Sequence, residues 1–174
     1  MTCRQVVDTL GALANPANVA GMARYGISPM GTLGGPMPVL RRMVKKIGRR
    51  HDLADKLWRL AIHEAGILAS LIGDPGKVTD DQMERWVLDI ESWDVCDQLC
   101  SNLFSRMAHA REKAAALSGR PNTFIKQAGF VLIAGKPIGE PVAWYGPIVI
   151  NMQEKLRIAF EEYENGTFIK HKKA

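Results

Sequence analysis

The chain is short of cysteine, of aromatic residues and of long apolar runs, and each shortage excludes something. Three cysteines in 174 residues make no disulfide framework, so the fold must rest on its core, and a reducing cytoplasm is the expected compartment. No uncharged apolar stretch reaches the ~18 residues that a membrane span needs. The most apolar one, 128–150, is broken by Lys136, Glu140 and three prolines, so no membrane partner is expected. The first residues do not read as a signal peptide, because Asp8 interrupts them and no apolar run follows Arg4. There is no Gly-rich phosphate loop and no G-x-S-x-G, which leaves nucleotide hydrolysis and ordinary serine-hydrolase chemistry unsupported. The four histidines (His51, His63, His109, His171) form no zinc spacing with Cys96 and Cys100. No metal, nucleotide or other cofactor is expected.

What is present is a folded chain with an uneven charge. Hydrophobic residues make up 47% and charged residues 24%, proportions of a globular protein rather than a disordered one. The length suits one domain, expected to span residues 1–174. The net charge is +5, and residues 1–75 hold all of the excess, with 10 Lys+Arg against 5 Asp+Glu; residues 76–174 carry 13 of each. A localised basic surface favours a polyanion, nucleic acid first.

Helical periodicity dominates. Leu40, Met43, Val44 and Ile47 stand at i, i+3, i+4 and i+7, one apolar stripe of a helix. Leu53, Leu57 and Leu60 continue the pattern, and an apolar helix over about 62–72 is stopped by Gly73-Asp74-Pro75-Gly76. Thr79 and Gln82 form a capping-box signature before Met83, Trp86, Val87 and Ile90. Ser92 is placed to cap a helix running to Phe104, and Pro121 stands at a further helix start. Residues 135–147 are rich in Pro and Gly and read as a linker before a last repeat. Thr123-Phe124-Ile125-Lys126 recurs as Thr167-Phe168-Ile169-Lys170, 44 residues on. That interval matches helical-repeat periods. The expected fold is all-α, a HEAT-like helical-repeat α-solenoid whose C-terminal repeat is cut short, leaving an uncapped face able to self-associate.

Two segments carry chemistry. The run 41–50, RRMVKKIGRR, holds six cations and no acid. With Leu40, Met43, Val44 and Ile47 buried, Arg41, Arg42, Lys45 and Lys46 project from the other side, and Arg49 and Arg50 extend the patch past Gly48, the expected helix stop. Unrelieved repulsion at this spacing is met by phosphate groups, although a solvated charged face has the same composition. In the second segment, Ser92-Trp93-Asp94-Val95-Cys96-Asp97, a helical wheel sets Asp97 near 40° from Trp93 while Val95, Leu99, Leu103 and both cysteines share the opposite half. Trp93 and Asp97 therefore neighbour one another on the open face, with Cys96 and Cys100 in the core. Asp94 reads as a first-turn partner of the helix dipole.

At this helix the sequence resembles the DNA alkylation repair enzymes, AlkD-like DNA glycosylases built from HEAT-like repeats. The resemblance rests on 12–27 (ALANPANVAGMARYGI), on 36–50 with its basic helix, on 52–72 with its LW…HE segment, on 80–104 with SWD-x-x-D, and on 123–134 (TFIKQAGFVLIA). It implies excision of cationic N3- or N7-alkylated purines from duplex DNA without base flipping. By the same resemblance Asp97 matches the catalytic carboxylate and Trp93 the tryptophan against the lesion sugar. The segment holding Lys126 and Gln127 would contact the DNA backbone, with Gln127 where the family usually has arginine, and Gly66 likewise replaces an arginine. The alternatives are a non-catalytic DNA-binding member of the same family and a helical-repeat scaffold for a protein partner.

Overall fold

A computed structural model describes residues 1–134, 143–145, 148–150 and 153–165. The chain divides into two compact units, Met1–Lys136 and Pro137–Ala174. The sequence reading expects one domain over 1–174 with a linker at 135–147, and the division falls within that linker.

The first unit is the helical repeat. Its helices are α1 (Cys3–Ala12), α2 (Pro16–Ala23), α3 (Met37–Ile47), α4 (His51–Trp58), α5 (His63–Ile72), α6 (Asp80–Leu88), α7 (Trp93–Asn102), α8 (Ala110–Ser118) and α9 (Thr123–Ala134). α5 packs on α3 and α7, and α7 packs on α9, giving a row of alternate helices; α4 backs α5 and α8 backs α9. α5, α7 and α9 begin at His63, Trp93 and Thr123, thirty residues apart, and α4, α6 and α8 begin at His51, Asp80 and Ala110. Each repeat buries one apolar stripe against the next. Leu57, Leu68, Met83, Trp86, Leu99, Phe104 and Leu117 are almost fully enclosed.

The thirty-residue step also governs the polar contacts. His51 Nε2 and Gln82 Oε1 lie 3.1 Å apart, and Trp58 Nε1 donates to Asp89 Oδ2 at 3.0 Å. The Trp58 and Trp86 rings stack with centroids 4.5 Å apart. Down the other row, the Cys96 and Cys100 thiols point at the carbonyls of Phe124 and Ala128. Both cysteines are buried as expected, and the hydrogen bond to Cys96 together with burial pushes the Cys100 thiol far up, so it stays protonated. The step between these bonded partners is near thirty, so the structural period is not the 44 residues between the two TFIK segments. The second segment, 167–170, lies outside the described residues.

Helix ends follow local chemistry, with exceptions. Gly48 stops α3 at φ 71°, and Thr79 accepts from Gln82 N. The reciprocal half of that capping box is missing because the Gln82 side chain is engaged with His51. Ser92 precedes α7 but does not cap it, since its hydroxyl donates to the Asp94 carboxylate. The start of α9 is capped by Asn122, whose Oδ1 accepts from Phe124 N and Ile125 N. Where α9 crosses α8, a Cβ at Gly129 would lie 2.4 Å from Ser118 N, so only glycine permits that approach.

In the second unit β1 (Ala143–Tyr145) pairs antiparallel with β2 (Ile148–Ile150), Trp144 opposite Val149. Helix α10 (Gln153–Glu164) packs on this hairpin. The linker expected over 135–147 therefore contains a strand, and the described part of the C-terminal segment is a hairpin and one helix. The helical-repeat architecture belongs to the first unit. No helix among the described residues is long and apolar enough to cross a membrane.

Candidate nucleic-acid interface

α3 stands at the start of the row α3–α5–α7–α9. Leu40 and Met43 are buried, and Arg41, Arg42, Lys45 and Lys46 are exposed on its free side without an ion-pair partner among the described residues. Lys45 and Lys46 lie in the last turn, where the helix dipole favours cations. The two arginines beyond Gly48 differ. Arg50 forks onto Asp52, with Nε at 3.1 Å and Nη2 at 3.0 Å from its oxygens, and that hydrogen-bonded pair pulls the Asp52 carboxyl down to about 2. Arg49 stands 4.0 Å from Asp74. The expectation of six unneutralised cations therefore holds for four, because Asp52 and Asp74 fold back beside the last two.

Trp93, Asp97 and Gln127 come together at the first turns of α7 and α9. Trp93 is the first residue of α7 and 42% exposed; its indole N–H donates to Tyr25 O at 3.0 Å. One turn on, Asp97 is half-buried, and the Gln127 amide donates both to its Oδ1 at 2.8 Å and to Trp93 O at 3.1 Å. Gln127 thus spends its donor on the carboxylate and on the backbone of the tryptophan beside it. Lys126 is exposed beside it. The result is a fixed carboxylate next to an accessible aromatic ring, suited to meeting a group that carries positive charge.

Beneath this pair lies a polar cluster that the sequence reading did not find. Glu64 is 1% exposed and accepts from Leu33 N at 3.0 Å, Gly34 N at 2.7 Å and Gly35 N at 3.0 Å. Gly34 has φ +80°, and a Cβ there would lie 2.5 Å from Asn15 O, so the loop can turn its N–H groups inward only with glycine at 34. Burial pushes the Glu64 carboxyl up, but the neighbouring His63 imidazole and the N–H groups of Leu33 and Gly35 prevail and hold it at about 2. The His63 side chain, 7% exposed, places Nδ1 3.9 Å from Glu64 and Nε2 2.8 Å from Asp94. Burial lowers its pKa, and the carboxylates of Asp94 and Glu64 outweigh that, raising it to about 9. Asp94, read from the sequence as a dipole partner in its first turn, is chiefly the counter-ion of His63, which lowers its carboxyl against the cost of burial. This chain of charges ties the loop 33–35 to α5 and α5 to the start of α7, where Trp93 sits. The only trace of it in the sequence is the thirty-residue spacing of Leu33, Glu64 and Asp94.

Among the described residues no three of His, Cys, Asp and Glu gather as ligands for a metal ion.

Two family descriptions match overlapping stretches of the chain. Residues 105–169 match the pirin C-terminal cupin domain. Curated relatives of that kind include pirin-like protein 2 of Arabidopsis thaliana, 56% identical over 41 residues (24% of this chain, 13% of the relative). A pirin-like protein of Caulobacter vibrioides is 46% identical over 44 residues (25% and 16%). The chain thus spans about a sixth or less of the length of these relatives. Among solved structures, one described as a new family of proteins related to the HEAT-like repeat DNA glycosylases with affinity for branched DNA structures superposes with TM-score 0.71 at 18% identity. It is matched over 95% of this chain and 67% of its own. That likeness establishes the HEAT-like fold. The DNA alkylation repair enzyme family matches residues 6–136, three quarters of the chain and all but the first five residues of the helical unit described above, and the chain belongs to that family.

Proposed function

We propose that this protein is a DNA repair glycosylase that grips duplex DNA along the α3–α9 row and releases cationic N3- or N7-alkylated purines without base flipping. The observation that carries the reading is the Asp97 carboxylate, hydrogen-bonded by Gln127 at 2.8 Å and set one turn from the exposed Trp93. An alkylated purine is already positively charged and departs without a general acid. What needs stabilising is the oxocarbenium-like charge that grows on the deoxyribose, and a fixed carboxylate opposes it while orienting water. The tryptophan offers its π face to the same cation. Arg41, Arg42, Lys45 and Lys46 supply phosphate contacts, with Lys126 beside the lesion, and Arg49 and Arg50 contribute less because Asp74 and Asp52 hold them.

The test is release of free base from duplex DNA carrying N7-methylguanine. Asp97→Asn should slow release by roughly 10²–10³-fold, the scale for losing one well-placed electrostatic group, while DNA affinity holds or rises. Equal rates for the two proteins would remove the catalytic role of Asp97.

One observation favours a second reading, a non-catalytic DNA-binding member of the family. Gln127 brings no charge to position 127, and its amide is already engaged with Asp97 and Trp93. The solved neighbour is described by affinity for branched DNA. Salt-sensitive binding to branched or duplex DNA without base release by the wild-type protein would select this reading.

A further inference from the structure

Trp93 and Gln127 have both used their donors. Trp93 gives its single indole N–H to Tyr25 O. The Gln127 amide nitrogen donates to Asp97 Oδ1 at 2.8 Å and to Trp93 O at 3.1 Å, which uses both of its hydrogens. A backbone carbonyl only accepts, so the second bond fixes which end of the amide is nitrogen. The other end, Gln127 Oε1, must turn away from Trp93 O.

Two oxygens are left over. Neither Asp97 Oδ2 nor Gln127 Oε1 receives a hydrogen bond among the described residues. Among those residues the one buried side-chain nitrogen or oxygen without a partner is His63 Nδ1, so both oxygens are open to solvent. Asp97, Trp93 and Gln127 together therefore offer one charged and one neutral acceptor and no spare donor. A phosphate or carbonyl oxygen finds nothing to bond between them. Water does, because each of its two hydrogens can meet one acceptor while a lone pair stays free to react.

We propose that Gln127 is a water-positioning residue, whose Oε1 holds, together with Asp97 Oδ2, the water that attacks the deoxyribose. The proposal rests on the glycosylase reading above and adds a second acceptor to it. The water oxygen bonds to C1′ as the C1′–N9 bond breaks. The electron pair of that bond leaves with the cationic purine and neutralises it, and one proton of the water passes to Asp97 Oδ2. The other hydrogen stays bonded to the Gln127 carbonyl, which aims the lone pair. A glutamine orients the attacking water of nucleotide hydrolysis in the same manner. Gln127 then acts on the reacting water rather than on the DNA backbone.

The experiment is single-turnover release of base from duplex DNA carrying N7-methylguanine, in buffer containing methanol, with the product strand analysed by mass spectrometry. A site that binds both hydrogens of water discriminates against methanol, which has one O–H. The wild type should therefore form much less methyl glycoside than the solvent composition dictates. Gln127→Met, similar in length and uncharged, should slow release roughly tenfold, the scale of one hydrogen bond made in the transition state. It should also incorporate methanol in proportion to its share of the solvent. Gln127→Lys returns a donor to Asp97 Oδ1 and Trp93 O but no acceptor. If Gln127 merely held Asp97 in place, lysine would restore discrimination; the expected result is that discrimination stays lost while DNA affinity holds or rises. Discrimination that is absent in the wild type, retained by methionine or restored by lysine would each overturn the proposal and leave the glycosylase reading intact. No base release by the wild type would overturn both.

Discussion

Replacing Glu64 by glutamine isolates one charge in the middle of the helical unit. The side chain keeps its volume and one acceptor oxygen, but loses its charge and turns an N–H toward the Leu33 N–H that the second oxygen now receives at 3.0 Å. The carboxyl sits at about 2 in the folded protein against an ordinary 4.5. That difference is worth about 3 kcal/mol at neutral pH. Hydrogen bonds to a charged group are worth about 1.5–3 kcal/mol each; three N–H groups share this one, so a loss of about 3 kcal/mol is consistent with the geometry. Because the folded value is depressed, this stability is present above pH 4.5 and is lost as pH falls toward 2. Urea unfolding followed by tryptophan fluorescence should show the wild type ahead of Glu64→Gln by about 3 kcal/mol at neutral pH. The gap should stay constant down to the ordinary carboxylate range and close below it. A gap under about 1 kcal/mol, or one that persists unchanged into strong acid, would refute the argument that a charged Glu64 holds the 33–35 loop.

His63 should show the opposite dependence. Its pKa is raised from 6.5 to about 9, so its stabilisation is complete below pH 6.5 and lost as pH rises through 9. The melting-temperature advantage over His63→Gln should fade across that window. Replacing Arg41 and Lys45 by glutamine should lower the log–log salt slope of duplex binding by roughly 0.9 per lost phosphate contact. Arg50→Gln should change it little, since Asp52 already occupies that guanidinium; an equal effect at all three sites would argue against this division. Gln127→Arg should tighten lesion-DNA binding by roughly 1–2 kcal/mol if the new guanidinium reaches a phosphate. Unchanged affinity would mean that Asp97 captures it instead. Gly129→Ala, which drives a Cβ into the Ser118 backbone, should cost about 1–3 kcal/mol by chemical denaturation; a neutral substitution would show that α8 and α9 are not so closely packed.

The amino-acid sequence determined by itself what short-range physics controls. The stripe Leu40, Met43, Val44 and Ile47 had one helical face to occupy, which turned Arg41, Arg42, Lys45 and Lys46 outward; Gly48 ended that helix because it tolerates positive φ. The wheel of α7 set Trp93 and Asp97 on one face and both cysteines on the other for the same reason. The tertiary structure alone decided which of these groups meet across repeats. Asp52 and Asp74 reach Arg50 and Arg49, Gln127 reaches Asp97, and Asp94 faces His63 while Glu64 gathers the 33–35 loop. Except for the local Arg50–Asp52 pair, these contacts join residues some twenty-five to thirty-one apart, depending on the stacking of successive helix pairs rather than on helical periodicity within any one of them. The same distinction applies beyond residue 136. The four matching residues at 167–170 lie outside the described residues, and pairing of Ala143–Tyr145 with Ile148–Ile150 is a non-local choice that side-chain spacing does not announce. A helix announces itself along the chain through side-chain spacing, while a three-residue strand exists only once its partner supplies the other half of the hydrogen bonds.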